Sequence, residues 1–391
     1  MAKCQFKEQY KDLEKNLMVD FYCDEAELLA SGLCIFHDKY YLEDKAHIDE
    51  HSAKIRQKLQ HLIKDAVYNK KPLFCIGFHL LDFDISKIGI DKVFTIPVYF
   101  SHAIFFGETS FFGAQFKGEA SFYSATFYGE TGFAEATFNK RTDFDSAVFH
   151  KETGFTATHF HGNISFSNTI FKENSIFIFA HLSECYGDTD LDNTAFHGET
   201  DFSEATFHGN TDFSSTTFHK KATFNHTTFI KKVYFFQTNF LNLTYFSGKF
   251  TTDTDFYKAY FENKEKVVFD IDNMHHVSFI NTDIVGIRFS DNAIWGEEAK
   301  DRFRILDERR LEDIYKKEID EEENDEDKND EEEEDNDKAW RMQVFNLGSI
   351  VAEYRNLREN YEYRRRYDEA GQFFIREMEL KRKYRDTRRL Y

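Results

Sequence analysis

The sequence has little proline, few cysteines and no long apolar segment. Of its 391 residues, two are proline and five are cysteine, which does not match the dense disulfide framework of a small secreted protein. No run of about 18 apolar residues is present, and the N-terminal stretch MAKCQFKEQY lacks the apolar core of a signal peptide. We therefore expect a cytoplasmic protein in a reducing compartment.

Motifs that carry common catalytic chemistry are also missing. The sequence contains no G-x-S-x-G, Walker A or G-x-G-x-x-G pattern, so it lacks the usual nucleophile turn and phosphate-binding loops. We identify no catalytic residue and predict that the protein is not an enzyme.

The net charge of -20 is concentrated in one segment. Residues 318–337 hold 15 acidic residues and one lysine, which predicts a disordered acidic linker over 321–337. Residues 338–391 are basic, with 14 basic and 8 acidic residues, whereas residues 101–290 are mildly acidic, with 23 acidic and 14 basic residues. This balance does not favour nucleic acid as a partner.

Phenylalanine is in excess, with 46 residues, and many of them recur with a fixed period. One series returns every eleven residues, from Phe111 through Phe122 and Phe133, and a second series is offset from it by five. On an α-helix, residues five apart would lie about 140° from each other, and the intervening Thr, Ser, Gly and Asn are poor helix formers. The period therefore predicts strands.

The residue two positions before most repeat phenylalanines is small, as with Ala114 before Phe116. Side chains two apart on a strand share a face, so both are expected to point inward. A glycine such as Gly129 often follows the phenylalanine, where we expect it to take a positive φ at a corner. Two eleven-residue units then predict a square coil of about 22 residues, stacked at about 4.8 Å per layer.

Composition divides the chain into five parts. Residues 1–98 are predicted to be a mixed α/β N-terminal cap with an amphipathic helix near Ile48 to Ala66, and residues 99–292 a β-solenoid. The remaining parts are a charged helix over 293–320, the acidic linker over 321–337 and a basic helical hairpin over 338–391. The predicted fold class is mainly β, with helical flanks.

Three cysteines and one histidine near the N-terminus form the strongest candidate for metal chemistry. Cys34 and His37 have the C-x2-H spacing that supplies two ligands from one tight turn, and Cys4 and Cys23 complete a set of four. The spacing of Cys4 and Cys23 is irregular, so buried free cysteines beside an incidental histidine are the alternative. The sequence predicts one structural Zn²⁺ ion at these residues.

Two further polar sets have weaker patterns. An acidic set resembles the ligand positions of a calcium loop, but Asn193 stands where glycine is expected, which favours a solvated turn. A histidine set follows repeat phenylalanines by one residue and is expected to face outward, with His197 and His219 stacked across one coil. The acidic set is Asp188, Asp190, Asp192 and Glu199, and the histidine set is His150, His161, His197, His208 and His219.

Two basic clusters in the C-terminal hairpin are candidates for contact with an anionic membrane. A solvated helix face is the expected alternative. The clusters are Arg364, Arg365 and Arg366, and Lys381, Arg382 and Lys383.

The repeated unit F-x-x-A-x-F-x-G-x-T-x resembles the pentapeptide-repeat family, and specifically its Phe-rich branch. The segments CIFHDKYYLED and YRNLRENYEYRRRYDEAGQFFIREMELKRKY resemble those attached to such repeats in some archaeal and bacterial proteins. The resemblance implies a right-handed quadrilateral β-helix. Some members of the family imitate duplex DNA to bind topoisomerases, and some continue into a membrane channel-like region.

We therefore expect a non-catalytic scaffold that binds other proteins through its solenoid walls and helical hairpin. Two alternatives are a DNA-mimic regulator of a DNA-binding enzyme and the soluble cytoplasmic portion of a membrane channel-like or sensor protein. A DNA mimic requires acidic residues clustered on one wall of the solenoid.

Overall fold

The computed structural model describes residues 3–25, 31–38, 47–88, 91–184, 187–297, 301–323 and 346–384, with backbone alone for 317–323. An antiparallel hairpin of β1 (Lys7–Asp12) and β2 (Leu17–Tyr22) comes first and helix α1 (Ile48–Asn69) second. A long stack of short parallel strands follows. Three helices complete the described chain: α2 (Leu306–Glu323), α3 (Leu347–Tyr363) and α4 (Tyr367–Lys383).

The stacked strands form the four walls of a β-solenoid, because each wall receives one strand from each turn of the chain. Wall 1 contains Leu73–Phe74, Val98–Tyr99, Ala120–Ser121, Thr142–Asp143, Ile164–Ser165, Thr189–Asp190, Thr211–Asp212, Val233–Tyr234, Thr254–Asp255 and Val277–Ser278. Wall 2 contains His79–Leu80, Ile104–Phe105, Thr126–Phe127, Val148–Phe149, Ile170–Phe171, Ala195–Phe196, Thr217–Phe218, Asn239–Phe240 and Tyr260–Phe261.

Walls 3 and 4 are separate in the lower coils and join where long strands turn the corner between them. Wall 3 contains Phe83–Asp84, Thr109–Ser110, Thr131–Gly132, Thr153–Gly154, Ser175–Ile176 and Thr200–Asp201. Wall 4 contains Val93–Phe94, Gln115–Phe116, Thr137–Phe138, His159–Phe160, His181–Leu182 and Thr206–Phe207. The joined part contains Ala222–Phe229, Thr244–Phe250, Val267–Asp270 and Arg288–Phe289. Short 3-10 turns occupy Ile85–Lys87 and Lys264–Lys266.

Columns of phenylalanine rings fill the interior of the solenoid. Phe144 is fully buried and stacks on Phe122 in the coil below, with ring centroids 4.7 Å apart, and on Phe166 in the coil above, 5.1 Å away. Thr126 pairs with Val148, which is the predicted 22-residue period. The predicted β-solenoid with inward phenylalanines is therefore confirmed.

The predicted reason for the corner glycines is wrong. Gly129 does not have a positive φ; that conformation falls instead on residues such as Ser124 and Ser146. A Cβ atom on Gly129 would lie 2.3 Å from the carbonyl oxygen of Gly107 in the coil below. Glycine suits this position because the backbone of the coil below lies too close to Gly129 for a side chain there.

The stack begins earlier in the chain than the sequence pattern indicated. Leu73 pairs with Val98, and His79 with Ile104, so strands from 73–98 form the first coil, although the sequence placed them in the cap. Helix α1 packs on this coil through Ile55, Leu59 and Ile63. Because the first coil lacks the Ala, Thr and Gly pattern of later coils, its period is hidden in the sequence.

The N-terminal hairpin lies against wall 1. The Tyr10 and Tyr99 rings meet edge to face with centroids 5.1 Å apart, and Lys11 Nζ lies 2.9 Å from Asp143 Oδ2. Ser121, whose position on its strand faces outward, is fully buried as a result. The hairpin thus covers several lower coils of this wall.

Helices α2, α3 and α4 close the other end of the solenoid. Glu353 Oε1 accepts a hydrogen bond from the Phe279 backbone N–H at 2.8 Å, and Asn360 Oδ1 accepts one from Gly286 at 2.8 Å. These contacts satisfy backbone groups that a further coil would otherwise bind. The predicted α-helical hairpin is therefore present, and it serves as the cap of the last coil.

Most of the predicted acidic linker, 324–337, lies outside the described residues, and α2 extends to Glu323. Among the described residues, no helix combines the length and apolarity needed to span a lipid bilayer.

Candidate metal centre in the N-terminal cap

The N-terminal hairpin explains how distant cysteines reach one place. Cys4 comes before β1 and Cys23 follows β2, so the antiparallel pairing that joins Lys7 to Tyr22 brings the two cysteines to the same end of the hairpin. Cys34 and His37 lie on one turn, in which the His37 N–H donates to the Cys34 carbonyl at 3.0 Å. The irregular spacing between Cys4 and Cys23 in the sequence is therefore explained by the hairpin that lies between them.

The four predicted ligand atoms converge in a buried cluster. Cys34 Sγ lies 3.2 Å from His37 Nδ1, Cys4 Sγ lies 3.6 Å from the same nitrogen, and Cys23 Sγ lies 3.8 Å from Cys34 Sγ. All four ligand atoms lie within 4.8 Å of one another. Tetrahedral ligands at ordinary zinc distances are separated by about 3.8 Å for two sulfur atoms and about 3.6 Å for sulfur and nitrogen. The cluster could therefore hold a metal ion.

Neighbouring groups fix the orientation of the histidine. His37 Nε2 donates to the Ile76 carbonyl at 2.9 Å, which places the lone pair on Nδ1 toward the sulfur atoms. The Phe6 ring stacks on the His37 ring with centroids 3.7 Å apart. The ligand tautomer is thus set by the first coil of the solenoid, to which Ile76 belongs.

The cysteines of the cluster differ in acidity. The hydrogen bond that the Cys23 thiol donates lowers the pKa of Cys34 to about 4. The same bond to Cys34, together with burial, raises the pKa of Cys23, and burial raises that of Cys4. Cys34 is therefore a thiolate at neutral pH, the form in which cysteine binds metals.

The acidic set and the histidine set do not form comparable centres. Within the described ranges, one further group of ligand atoms lies close enough to hold a metal ion, and it contains none of the acidic set of Asp188 to Glu199. His197 and His219 stack as predicted, with ring centroids 4.3 Å apart. The histidine set is nevertheless not one column, because His150 follows a strand of wall 2 and His161 one of wall 4.

The further group, His159, His181 and Glu184, was missed by sequence reasoning. The sequence signal that could have identified this group is a pair of histidines 22 residues apart, His159 and His181, each directly before an inward residue of the repeat.

Several arginines and lysines of the basic clusters are bound within the molecule. Arg364 donates to the Gly286 carbonyl, and Arg366 donates to the Asp291 carbonyl at 3.0 Å and to Glu369 at 2.7 Å. Two of the lysines bind glutamates of the helical cap. Contact with a membrane through this hairpin stays a prediction.

Comparison with known proteins identifies a repeat family. The family model described as pentapeptide repeats (9 copies) matches residues 93–137 and 180–228. Neither a curated protein nor a solved structure matches the chain.

Proposed function

Because this chain is a pentapeptide-repeat protein, we propose that it is a non-catalytic scaffold that binds another protein through its C-terminal helical hairpin. Solenoids of this family are generally non-catalytic, and their repetition supplies a rigid, extended support. The observation that carries the proposal is an apolar groove on helix α4 of the C-terminal cap.

Within the described part of the chain, three large apolar side chains are left about half exposed in the groove. Phe374, Ile375 and Met378 are 46%, 48% and 47% exposed, whereas Phe373 beside them is fully buried in the cap. They line a depression of about 700 Å³ together with Leu347 at the start of α3. Contiguous exposed apolar side chains of this kind mark interaction surfaces.

The charges around the groove indicate the kind of partner. Lys381 and Arg382 lie on its rim with Glu379, and the last turn of α4 is basic. Positions 374, 375 and 378 form one stripe on the helix, which suits an amphipathic partner helix laid alongside it. We infer that the occupant is a helix of another protein with acidic residues beside its apolar face.

A photo-crosslinking residue at Ile375, with Tyr260 on wall 2 as the control position, tests this proposal. Tyr260 is 53% exposed, so both positions are reachable. We expect a partner that crosslinks at position 375 and has an acidic amphipathic helix. In the purified pair, Phe374→Ser combined with Met378→Ser should weaken binding by about tenfold or more, and Tyr260→Ser should not.

An unchanged dissociation constant in the double variant would remove the groove as the binding site. Crosslinking to a second copy of the chain, with a dimer mass in light scattering, would identify self-association and contradict the proposed partner.

We also propose that Cys4, Cys23, Cys34 and His37 bind one structural Zn²⁺ ion. Support comes from the convergence of the four ligand atoms within 4.8 Å of one another, their burial and the hydrogen bond that orients His37. The ion would join the hairpin to the first coil. Free thiols at these positions suit a reducing compartment, so we propose a cytoplasmic location.

The acidic residues of wall 1 bear on the DNA-mimic alternative. Asp143, Asp190, Asp212 and Asp255 all take the outward position of their strands. Lys11 binds Asp143 and an arginine of the C-terminal cap binds Asp255. Both ends of the acidic row are therefore neutralised, which favours the scaffold over a DNA mimic. A role as the soluble portion of a membrane channel-like or sensor protein is the second alternative.

A further inference from the structure

Wall 4 carries a cluster of histidines that the repeat itself builds. His159 and His181 are partners on adjacent parallel strands, and their rings stack with centroids 4.8 Å apart and planes 4° from parallel. Both side chains are on the outer surface of the wall, 41% and 39% exposed. The 22-residue period has thus placed two imidazoles one directly above the other.

A three-residue insertion brings a carboxylate to these imidazoles. His181 pairs with Thr206, 25 residues later, instead of 22. Ser183 takes a positive φ of 62°, and the next residue, Glu184, donates its N–H to the Phe160 carbonyl at 2.9 Å. In the coil below, the equivalent bond is made by His161, which donates to Phe138. The insertion therefore puts Glu184 in the column position of His161.

Glu184 is surrounded by imidazole nitrogens. Its Oε1 atom lies 2.7 Å from His159 Nδ1 and 3.7 Å from His181 Nδ1, and its Oε2 atom lies 2.9 Å from His161 Nδ1. One ligand atom from each of His159, His181 and Glu184 lies within 4.8 Å of the others. Two histidines and one carboxylate on a solvent-facing wall also leave coordination positions open to water.

We propose that His159, His181 and Glu184 bind one divalent transition-metal ion of the Zn²⁺, Ni²⁺ or Cu²⁺ class, with His161 positioning the carboxylate. Imidazole nitrogen suits these ions, and the glutamate supplies a negative charge. Tetrahedral ligation requires Nδ1 of His159 and Oε1 of Glu184 to be about 3.3 Å apart. Rotation of the half-exposed histidine side chain can supply that separation. The ion joins two adjacent coils at the insertion.

Electrostatics agree with this geometry. Burial, followed by the charge of His159, lowers the pKa of His181. Burial also lowers the pKa of His208, in the coil above, whose ring centroid lies 5.8 Å from that of His181. Burial therefore disfavours the charged form of His181, and neutral imidazole is the form that binds metals.

The chain offers a matched control on wall 2. His197 and His219 are likewise stacked one coil apart, at 4.3 Å, but the charges that shift the pKa of His197 come from His219 and Lys172, with no carboxylate among them. This pair shares the stacked imidazoles and lacks the glutamate.

Isothermal titration of the full chain with Zn²⁺, compared with Glu184→Gln and with the pair His159→Asn and His181→Asn, tests the proposal. We expect each of these variants to bind one Zn²⁺ ion fewer per chain, or to bind it about tenfold more weakly. The control pair His197→Asn and His219→Asn should titrate as the unaltered chain does. The measured quantity is the difference in bound Zn²⁺ between the unaltered protein and each variant, so Zn²⁺ bound at the cysteine cluster cancels.

Equal stoichiometry and affinity in the unaltered chain and Glu184→Gln would overturn the proposal and leave an ion-pair cluster only. Glu184→Gln preserves shape, and thermal melting without metal verifies that it folds. Equal loss of Zn²⁺ in the wall 2 control would also contradict the site, because it would show binding to any stacked histidine pair.

Discussion

Arg310 Nη1 lies 2.6 Å from Asp255 Oδ1, and this ion pair joins helix α2 to wall 1 of the solenoid. The same guanidinium binds Asp253 at 2.8 Å and Asp307 at 3.1 Å. Asp255 and Asp307 are buried, so the arginine is what makes their charges tolerable. The cap therefore depends on one cation among three carboxylates.

Arg310→Met is expected to destabilise the protein by about 3–5 kcal/mol, because it leaves buried carboxylates without their partner. Lys316→Met is the control, since Lys316 is 71% exposed in a weak ion pair with Asp313 and its loss should cost about 0–1 kcal/mol. Urea unfolding of both variants measures the difference. Similar losses would show that the ion pair is not important for the cap.

Glu353→Gln is expected to stabilise the protein at neutral pH. Burial, followed by the charge of Asp307, raises the pKa of Glu353 well above its ordinary value. The folded chain therefore holds a proton that the unfolded chain releases, and this contribution to stability is lost as pH rises above the unfolded pKa. Glutamine keeps the acceptor for the Phe279 N–H and removes this dependence.

Thermal melting at several values between about pH 5 and pH 8 checks the prediction. The unaltered chain should lose stability relative to Glu353→Gln as pH rises, and the two curves should converge at the acidic end. Parallel curves would mean that Glu353 does not take up a proton on folding.

Phe179→Asn is expected to stabilise the solenoid by about 1 kcal/mol. Phe179 has a φ of 55° and a side chain that is 49% exposed, whereas the repeats place Asn168 and Asn193 at corresponding positive-φ corners. A left-handed backbone is unfavourable for a bulky residue and tolerated by asparagine. Phe112→Asn is the control, because Phe112 is 47% exposed without a positive φ. A gain in both variants, measured by melting, would point to surface polarity instead of backbone conformation.

The proposed cysteine site predicts one zinc per chain by elemental analysis of the Glu184→Gln protein purified without chelators, in which the wall 4 site is removed. Cys34→Ser should abolish this zinc, because it removes the thiolate at the centre of the cluster. Cys75→Ser is the control: Cys75 is fully buried but does not belong to the cluster. Cobalt substitution in the unaltered chain should also give the intense absorption of thiolate ligation. Zinc that survives Cys34→Ser in the Glu184→Gln protein would contradict the cysteine site.

The solenoid could be predicted from the sequence because each structural demand recurs. A small residue stands two positions before most inward phenylalanines in successive coils. Ala125 and Ala147 are fully buried examples, and both are small because the interior has little space at this position. The corner glycines were recognisable for the same reason, although their cause lies in contact between coils and not in their own φ. The repeat in the sequence therefore identified the constrained positions, whereas the physical cause of the constraint required the structure.

Features that occur once were not predictable in the same way. The repeat pattern does not predict that Arg310 binds Asp255, 55 residues away. It also does not predict that Ile76 orients His37. The cysteine cluster was predicted from residue type and from the C-x2-H spacing of Cys34 and His37, whereas the hairpin that unites Cys4 with Cys23 was not predicted. Glu184 became a candidate only when hydrogen bonding showed how the insertion realigns the chain.

The 22-residue spacing between hydrogen-bonded partners also bears on how the chain folds during synthesis. Each new coil pairs with the one completed just before it, so the loop that must close is short and the entropic cost is nearly constant along the solenoid. The N-terminal cap leaves the ribosome before the coils, so it is available for the later coils to assemble on. The C-terminal helices emerge after the coils, and until they dock, the exposed strand edge can pair with the next segment of the chain or with a foreign strand. During synthesis we therefore expect the coils to form from the N-terminal end, with the uncapped stack as the exposed intermediate.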